Sequence, residues 1–196
     1  MSNNIVTKDL GLDVTIIKDS CFKLYDYVKE NFSENKKDYN GQSTLSTQLF
    51  TSYNLLLYPL PGFHELFDGI RRTFIESYPN IEDSDYYIQA WLNVYNKGDF
   101  IDWHWHWPDE CNAYHGFYCV DTDPSHTSYV YEDHDIQMDI PSKDDRLVMS
   151  KSYRERHRTW PWTEERPRIT IAFDIVPRAH IKPFEWSNHW IPLNLT

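Results

Sequence analysis

A chain of 196 residues is long enough to bury one sizeable core, and 16% aromatic residues, among them eight Trp and fourteen Tyr, exclude a disordered chain. Thirty acidic against nineteen basic residues leave a net charge of −11, which argues against nucleic acid or an anionic membrane surface as partner. Three cysteines without CxxC spacing fit reduced thiols, and no stretch reads as a signal peptide or a membrane span, so a cytoplasmic protein is expected.

The chain reads as a single domain over 1–196, with a helical lead-in over 1–80, a β-rich core over 81–178 and a tail over 179–196 that carries Trp186 and Trp190. Cys21, Leu24, Tyr25, Val28 and Phe32 recur at helical spacing and predict a helix over 19–32. A polar stretch with a turn at Asn40-Gly41 follows. Pro61 then opens a second helix with a stripe of Phe63, Leu66, Phe67, Ile70, Phe74 and Tyr78. From Tyr86 the period changes to two. Strands are expected over 86–95, 101–107, 114–121, 128–132, 136–140, 146–150 and 168–176, with His157 in a loop. Seven short strands at close spacing point to a mainly β fold, a jelly roll with the N-terminal helices packed on one sheet.

The segment Asp102-Trp103-His104-Trp105-His106-Trp107 alternates metal-capable side chains with indoles. On a strand, Asp102, His104 and His106 would share one face and the three tryptophans the other. Imidazole is a common ligand for transition metals. His157 lies downstream, and eleven residues after it Arg168 opens the last long strand, sharing a face with Thr170, Ala172 and Asp174. An arginine facing a barrel interior calls for an anionic partner, and a carboxylate suits its planar fork. On the strand over 86–95, Asn93 shares a polar-aromatic face with Gln89, Trp91 and Tyr95, fit for a lumen that holds an organic acid. Tyr118 is either a donor to a co-substrate carboxylate or a core tyrosine. Arg166 competes with Arg168 for the clamp but has no threonine two residues on.

Tyr95, Gly98, His104-x-His106, His157 and Arg168-x-Thr170 together resemble the Fe(II)- and 2-oxoglutarate-dependent oxygenase superfamily, on its prolyl-hydroxylase-like side. Gly116-Phe-Tyr-Cys-Val120 resembles the strand that follows in bacterial and phage members. The likeness spans about residues 86–177. It implies a double-stranded β-helix, with Fe(II) held by His104, His106 and His157. It also implies 2-oxoglutarate held by Arg168 and Thr170, with Asn93 and Tyr118 as further contacts, and O2 as oxidant. The implied reaction hydroxylates a small molecule or a protein side chain and releases succinate and CO2. One departure stands out: the family pattern has HxD, and this chain has HxH. Replacing His106 by aspartate is therefore expected to restore the usual carboxylate and retain iron. The alternative class is a non-enzymatic jelly-roll binding module with a structural or vestigial metal site. An iron site with open positions separates the two, and Arg168 separates the first from a third reading, a cupin-like dioxygenase that uses three histidines without 2-oxoglutarate.

Overall fold

The structure, a computed structural model, describes residues 5–32, 53–79, 81, 85–131, 134–182 and 190–193. The predicted turn at Asn40-Gly41 and Trp186 lie outside them. The elements run β1 (Ile5–Asp9), α1 (Val14–Phe32), α2 (Phe63–Ser77), β2 (Tyr86–Tyr95), β3 (Tyr114–Asp121), β4 (His126–Tyr131), β5 (His134–Pro141), β6 (Arg146–Lys151), β7 (Glu155–Thr159), β8 (Arg168–Pro177) and β9 (Ile191–Pro192). A six-stranded sheet in the order β1-β6-β3-β8-β2-β9 faces a three-stranded sheet in the order β5-β4-β7. Every pairing is antiparallel. This is the expected jelly roll.

β8 is central because its ten residues are buried on both faces. Ile169, Ile171, Phe173 and Ile175 are fully buried in the core shared with the helices. Arg168, Thr170, Ala172 and Asp174 line a cavity between the sheets. Register carries the pattern sideways: Asn93 stands opposite Thr170, Tyr95 opposite Arg168 and His115 opposite Asp174. Directly opposed residues share a face, so the polar positions of three strands converge on one space.

Both helices cover the outer side of the large sheet. Ile17, Cys21, Leu24 and Val28 form the buried stripe of α1, and Phe63, Leu66, Ile70 and Phe74 that of α2. Phe74 meets Tyr114 of β3 edge to face, with ring centroids 4.9 Å apart. α1 starts five residues before the expected position because Asp13 caps it, its Oδ1 accepting from the backbone N–H of Thr15 and Ile16 at 3.0 and 3.3 Å. No described helix is long and apolar enough to cross a membrane.

Gly116 has no room for a side chain. A Cβ there would stand 2.3 Å from the Val148 carbonyl oxygen and 2.5 Å from the Phe173 ring. Because the first obstacle is backbone, relaxation would have to part β3 from β6. Gly116→Ala is expected to destabilise the fold by about 1–3 kcal/mol or more, read as a lowered urea midpoint.

Three expectations need correction. The segment 101–107 is not a strand: it makes one reciprocal backbone bridge, between His104 and His157. Asp102 accounts for this, since its side chain accepts from the Trp103 N–H at 2.8 Å and its carbonyl from His104 Nδ1 at 2.8 Å, in competition with a ladder. His157 lies on β7 and not in a loop. The tryptophans do not form a buried face, for Trp105 is 62% exposed and the Trp107 indole turns inward to Asp174. β1, unforeseen in the sequence, pairs with β6 at the sheet edge.

Candidate metal and co-substrate site

Between the sheets lies a cavity of about 120 Å³, walled by side chains from β2, β3, β4, β7, β8 and the 101–107 segment. Gly98 follows β2, whose Tyr95 lines the cavity. At φ +90° it closes the turn after β2 and gives its N–H to the Trp162 carbonyl at 2.8 Å, tying the segment after β7 beside Tyr95.

Ligand-capable nitrogens of His104, His106 and His157 lie within 4.8 Å of one another. His104 and His157 are joined through their backbones, so the bridge itself sets two of the three rings 4.2 Å apart. The sequence spacing supplies the third, with His106 5.4 Å from His104 and 5.1 Å from His157 between ring centroids.

Second partners fix the tautomers. Nδ1 of His104 meets the Asp102 carbonyl at 2.8 Å, Nδ1 of His106 meets Asp174 Oδ1 at 2.6 Å, and Nδ1 of His157 meets Glu155 Oε1 at 2.8 Å. A carbonyl and two carboxylates can only accept, so each Nδ1 donates and each Nε2 carries the lone pair that a metal requires. Three imidazoles polarised in the same sense suit a divalent metal ion.

A fourth imidazole belongs to the support. His115 is buried and stacks on His106 and on His157, at 4.6 Å from each. Its Nδ1 bonds Ser152 Oγ at 2.9 Å and its Nε2 lies 3.0 Å from Glu155 Oε2. The cluster of His115, Glu155 and His157 also has metal-like spacing. Glu155 is hydrogen-bonded to His157 and its second oxygen lies beside the His115 ring without hydrogen-bond geometry, so the carboxylate faces both rings and the cluster reads as the shell behind His157.

Electrostatics agree with that division. Burial works against ionised Glu155, yet His115 and His157 hold its carboxyl below the usual carboxylate range. Burial pushes His157 down to about 4, with Glu155 offsetting only part of it, and burial together with His157 and His106 places His104 well below an ordinary histidine. For His106 burial also favours the neutral ring, but Asp174 overrides it and raises the pKa. Metal binding needs neutral imidazole. On acidification the first proton to compete is therefore the one on His106. Zn(II) affinity is expected to fall on acidification as His106 takes up a proton at a higher pH than an ordinary histidine, while His104 and His157 stay neutral, and titrations at stepped pH check this.

Arg168 is 2% exposed and faces the same cavity. Its Nε donates to Ser125 Oγ at 3.1 Å and its guanidinium lies 5.4 Å from the Tyr95 ring centroid. Among the described residues no carboxylate pairs with it, so a buried cation faces an open space. Thr170 lines the wall beside it. Asn93 Oδ1 and Thr127 Oγ1, both buried and lining the cavity, have no hydrogen-bond partner among the described residues. Such groups are costly unless a ligand or water satisfies them.

Other candidates are placed elsewhere. Tyr118 lies on the helix side of β3, fully buried, and donates to Asp145 Oδ1 at 3.0 Å, so its expected contact with a co-substrate is corrected to a role in the core. Its strand neighbour Phe117, one position out of phase, lines the cavity instead. Arg166 is taken by Asp121 and by the Asp123 carbonyl. Asp102 is exposed, and Asp109 accepts from the Arg154 N–H at 2.9 Å. Sequence reasoning gave no role to Asp174, Glu155 or His115. A lone carboxylate in an apolar strand, and a glutamate two residues before a site histidine, were the available signals.

No family model matches the chain, and a search of the curated proteins finds no match. Solved structures are similar. A prolyl hydroxylase from Trichoplax adhaerens, in complex with a hypoxia inducible factor peptide fragment, superposes with a TM-score of 0.67 at 12% identity, over 91% of this chain and 86% of that one. A Pseudomonas putida prolyl-4-hydroxylase gives 0.61 at 12% identity, over 90% and 94%. AviO1 from Streptomyces viridochromogenes gives 0.65 at 11% identity, over 91% of each chain. At such identities the likeness is one of fold: this chain has the fold of these two prolyl hydroxylases and of AviO1.

Proposed function

We propose that the chain is an Fe(II)- and 2-oxoglutarate-dependent dioxygenase that hydroxylates a C–H bond and releases succinate and CO2. The observation that carries this reading is a pairing within one cavity. Three histidines bring ligand-capable nitrogens within 4.8 Å of one another, and a buried arginine with no carboxylate partner among the described residues faces the same space.

In this reading His104, His106 and His157 hold the metal through Nε2. Fe(II), when bound with its co-substrate, supplies the chemistry that couples oxidation of 2-oxoglutarate by O2 to oxidation of the substrate. The protein orients and shields. Arg168 and Thr170 bind the distal carboxylate of 2-oxoglutarate, and the buried Asn93 and Thr127 side chains satisfy further polar atoms of the bound acid. Trp91, stacked on the His106 ring at 6.0 Å, helps keep bulk water from that ligand. The substrate is a small molecule or a protein side chain; the Trichoplax neighbour, which holds a peptide, supports the latter class. Cys21, Cys111 and Cys119 are all buried and unpaired, which supports a reducing, cytoplasmic setting.

Anaerobic titration of 2-oxoglutarate into the Fe(II)-loaded protein tests the reading. It should produce the weak visible charge-transfer band of a chelated co-substrate, and air with ascorbate should then yield succinate slowly without a primary substrate. A protein that shows no band and no succinate, and that retains zinc, is the structural-metal module instead.

A further inference from the structure

We propose that Asp174 stands in for the carboxylate that position 106 lacks, acting through His106 as a positioning residue that fixes its tautomer and supplies negative charge one layer behind the metal. This rests on the metal-site reading above and adds a role for a residue that touches neither metal nor co-substrate in that reading. Asp174 is 7% exposed, in a strand that otherwise carries apolar residues around it. Its two oxygens divide between consecutive residues: Oδ1 meets His106 Nδ1 at 2.6 Å, and Oδ2 accepts from the Trp107 indole N–H at 3.0 Å. The indole can only donate, so it fixes which oxygen faces His106. The oxygen left for His106 can only accept, so the neutral imidazole must carry its proton on Nδ1 and present Nε2 bare. His115, opposite Asp174 in the sheet register, closes the arrangement by stacking on the His106 ring at 4.6 Å.

Two substitutions follow with opposite logic. In Asp174→Asn the side chain has one acceptor for two donors. If its carbonyl keeps the Trp107 bond, the amide N–H faces His106 Nδ1 and drives the proton to Nε2, where it blocks a metal. In His106→Asp a carboxylate is introduced beside Asp174 with no N–H between them. Like charges in a buried site repel, so on this proposal the change should not restore the usual HxD site, contrary to what the motif alone suggests. Removing the second charge with Asp174→Asn should then help. Asp174→Asn thus weakens metal binding with histidine at 106 and strengthens it with aspartate at 106.

The experiment compares wild type, Asp174→Asn, His106→Asp and the double variant. Zn(II) and anaerobic Fe(II) affinities come from competition with a chromophoric chelator, folding from circular dichroism, and the His106 tautomer from long-range 15N–1H correlation in the metal-free protein. Expected are a tenfold or greater loss in Asp174→Asn with a shift to the Nε2–H tautomer, and a tenfold or greater gain on adding Asp174→Asn to His106→Asp. Wild-type affinity in Asp174→Asn, or an Nε2–H tautomer in the wild type, overturns the proposal. So does His106→Asp binding as tightly as the double variant. If Asp174→Asn alone fails to fold, the wild-type tautomer and the His106→Asp pair decide. A failure of the underlying metal reading looks different: the wild type then binds no divalent ion, or His104→Ala binds it equally well.

Discussion

Arg168→Ala is expected to raise the apparent KM for 2-oxoglutarate by about a hundredfold, without lowering the melting temperature of the ligand-free protein. Truncating one partner of a buried charge pair costs about 2–5 kcal/mol, or about 30-fold to several thousandfold in affinity. Among the described residues the guanidinium has no carboxylate to lose, only the Ser125 hydroxyl at 3.1 Å and the Tyr95 ring. Its burial there opposes folding. Function and stability should therefore move apart, which a merely structural arginine would not allow. The histidine site gathers at the Asp174 end of β8 and Arg168 stands at the other, so metal affinity should change little. Arg168→Lys keeps the charge but loses the planar fork, and an intermediate KM is expected. Arg166→Ala serves as the control, because that side chain is paired with Asp121 outside the cavity wall. Succinate formation at graded 2-oxoglutarate checks all three. An unchanged KM in Arg168→Ala would show that Arg168 does not hold the co-substrate carboxylate, and no succinate from the wild type would point to a protein that does not use this co-substrate.

What the sequence discloses here depends on how local the cause is. Period-two burial is a property of single strands, and the predicted bounds of β2 and β3 coincide with the observed ones. The face shared by Arg168, Thr170, Ala172 and Asp174 was legible for the same reason. β1 was not, because Ile5–Asp9 is polar on its outer side and acquires its strand character by pairing with β6, more than 130 residues away. The 101–107 segment misled in the opposite sense. Its alternation is as regular as that of any strand, yet the side chain and carbonyl of Asp102 take up local hydrogen bonds. The site divides in the same way. Motif spacing nominates His104, His106, His157 and Arg168, whereas the partners that set each imidazole's tautomer come from β7 and β8 and from the backbone. Tyr118 shows the limit of strand reading, since one step of phase separates a cavity-lining residue from a core residue, and Phe117 holds the position facing the cavity.

His104→Ala is expected to abolish stoichiometric binding of Fe(II) or Zn(II) while leaving far-UV circular dichroism and thermal stability close to wild type. The His104 side chain makes its Nδ1 bond to a backbone carbonyl at the partly exposed rim, and its backbone bridge to His157 does not depend on the ring. Three-ligand sites lose most of their affinity with any one ligand, so a loss of a thousandfold or more is expected, about 4 kcal/mol. His157→Ala should abolish binding equally but at a structural cost that His104→Ala does not carry. Glu155 has a fully buried carboxylate hydrogen-bonded to His157 Nδ1 at 2.8 Å, with His115 Nε2 3.0 Å from its other oxygen but outside hydrogen-bond geometry. Without His157 that charge keeps one partner, and an under-satisfied buried acceptor costs about 1–3 kcal/mol, more when ionised. The remaining cost depends on pH, and its sign is fixed. Glu155 has a depressed pKa in the fold because two imidazoles surround it, so its contribution to stability is present above the unfolded carboxylate range and fades as pH falls through the folded value. With one imidazole gone the folded pKa rises, and the stability lost in His157→Ala should be greatest near neutral pH and shrink on acidification. A Glu155→Gln, His157→Ala double variant should recover part of that loss without recovering metal. Equal stability of the two alanine variants at pH 7 would show that Glu155 does not depend on His157, and metal retained by either variant would move the site away from this cavity.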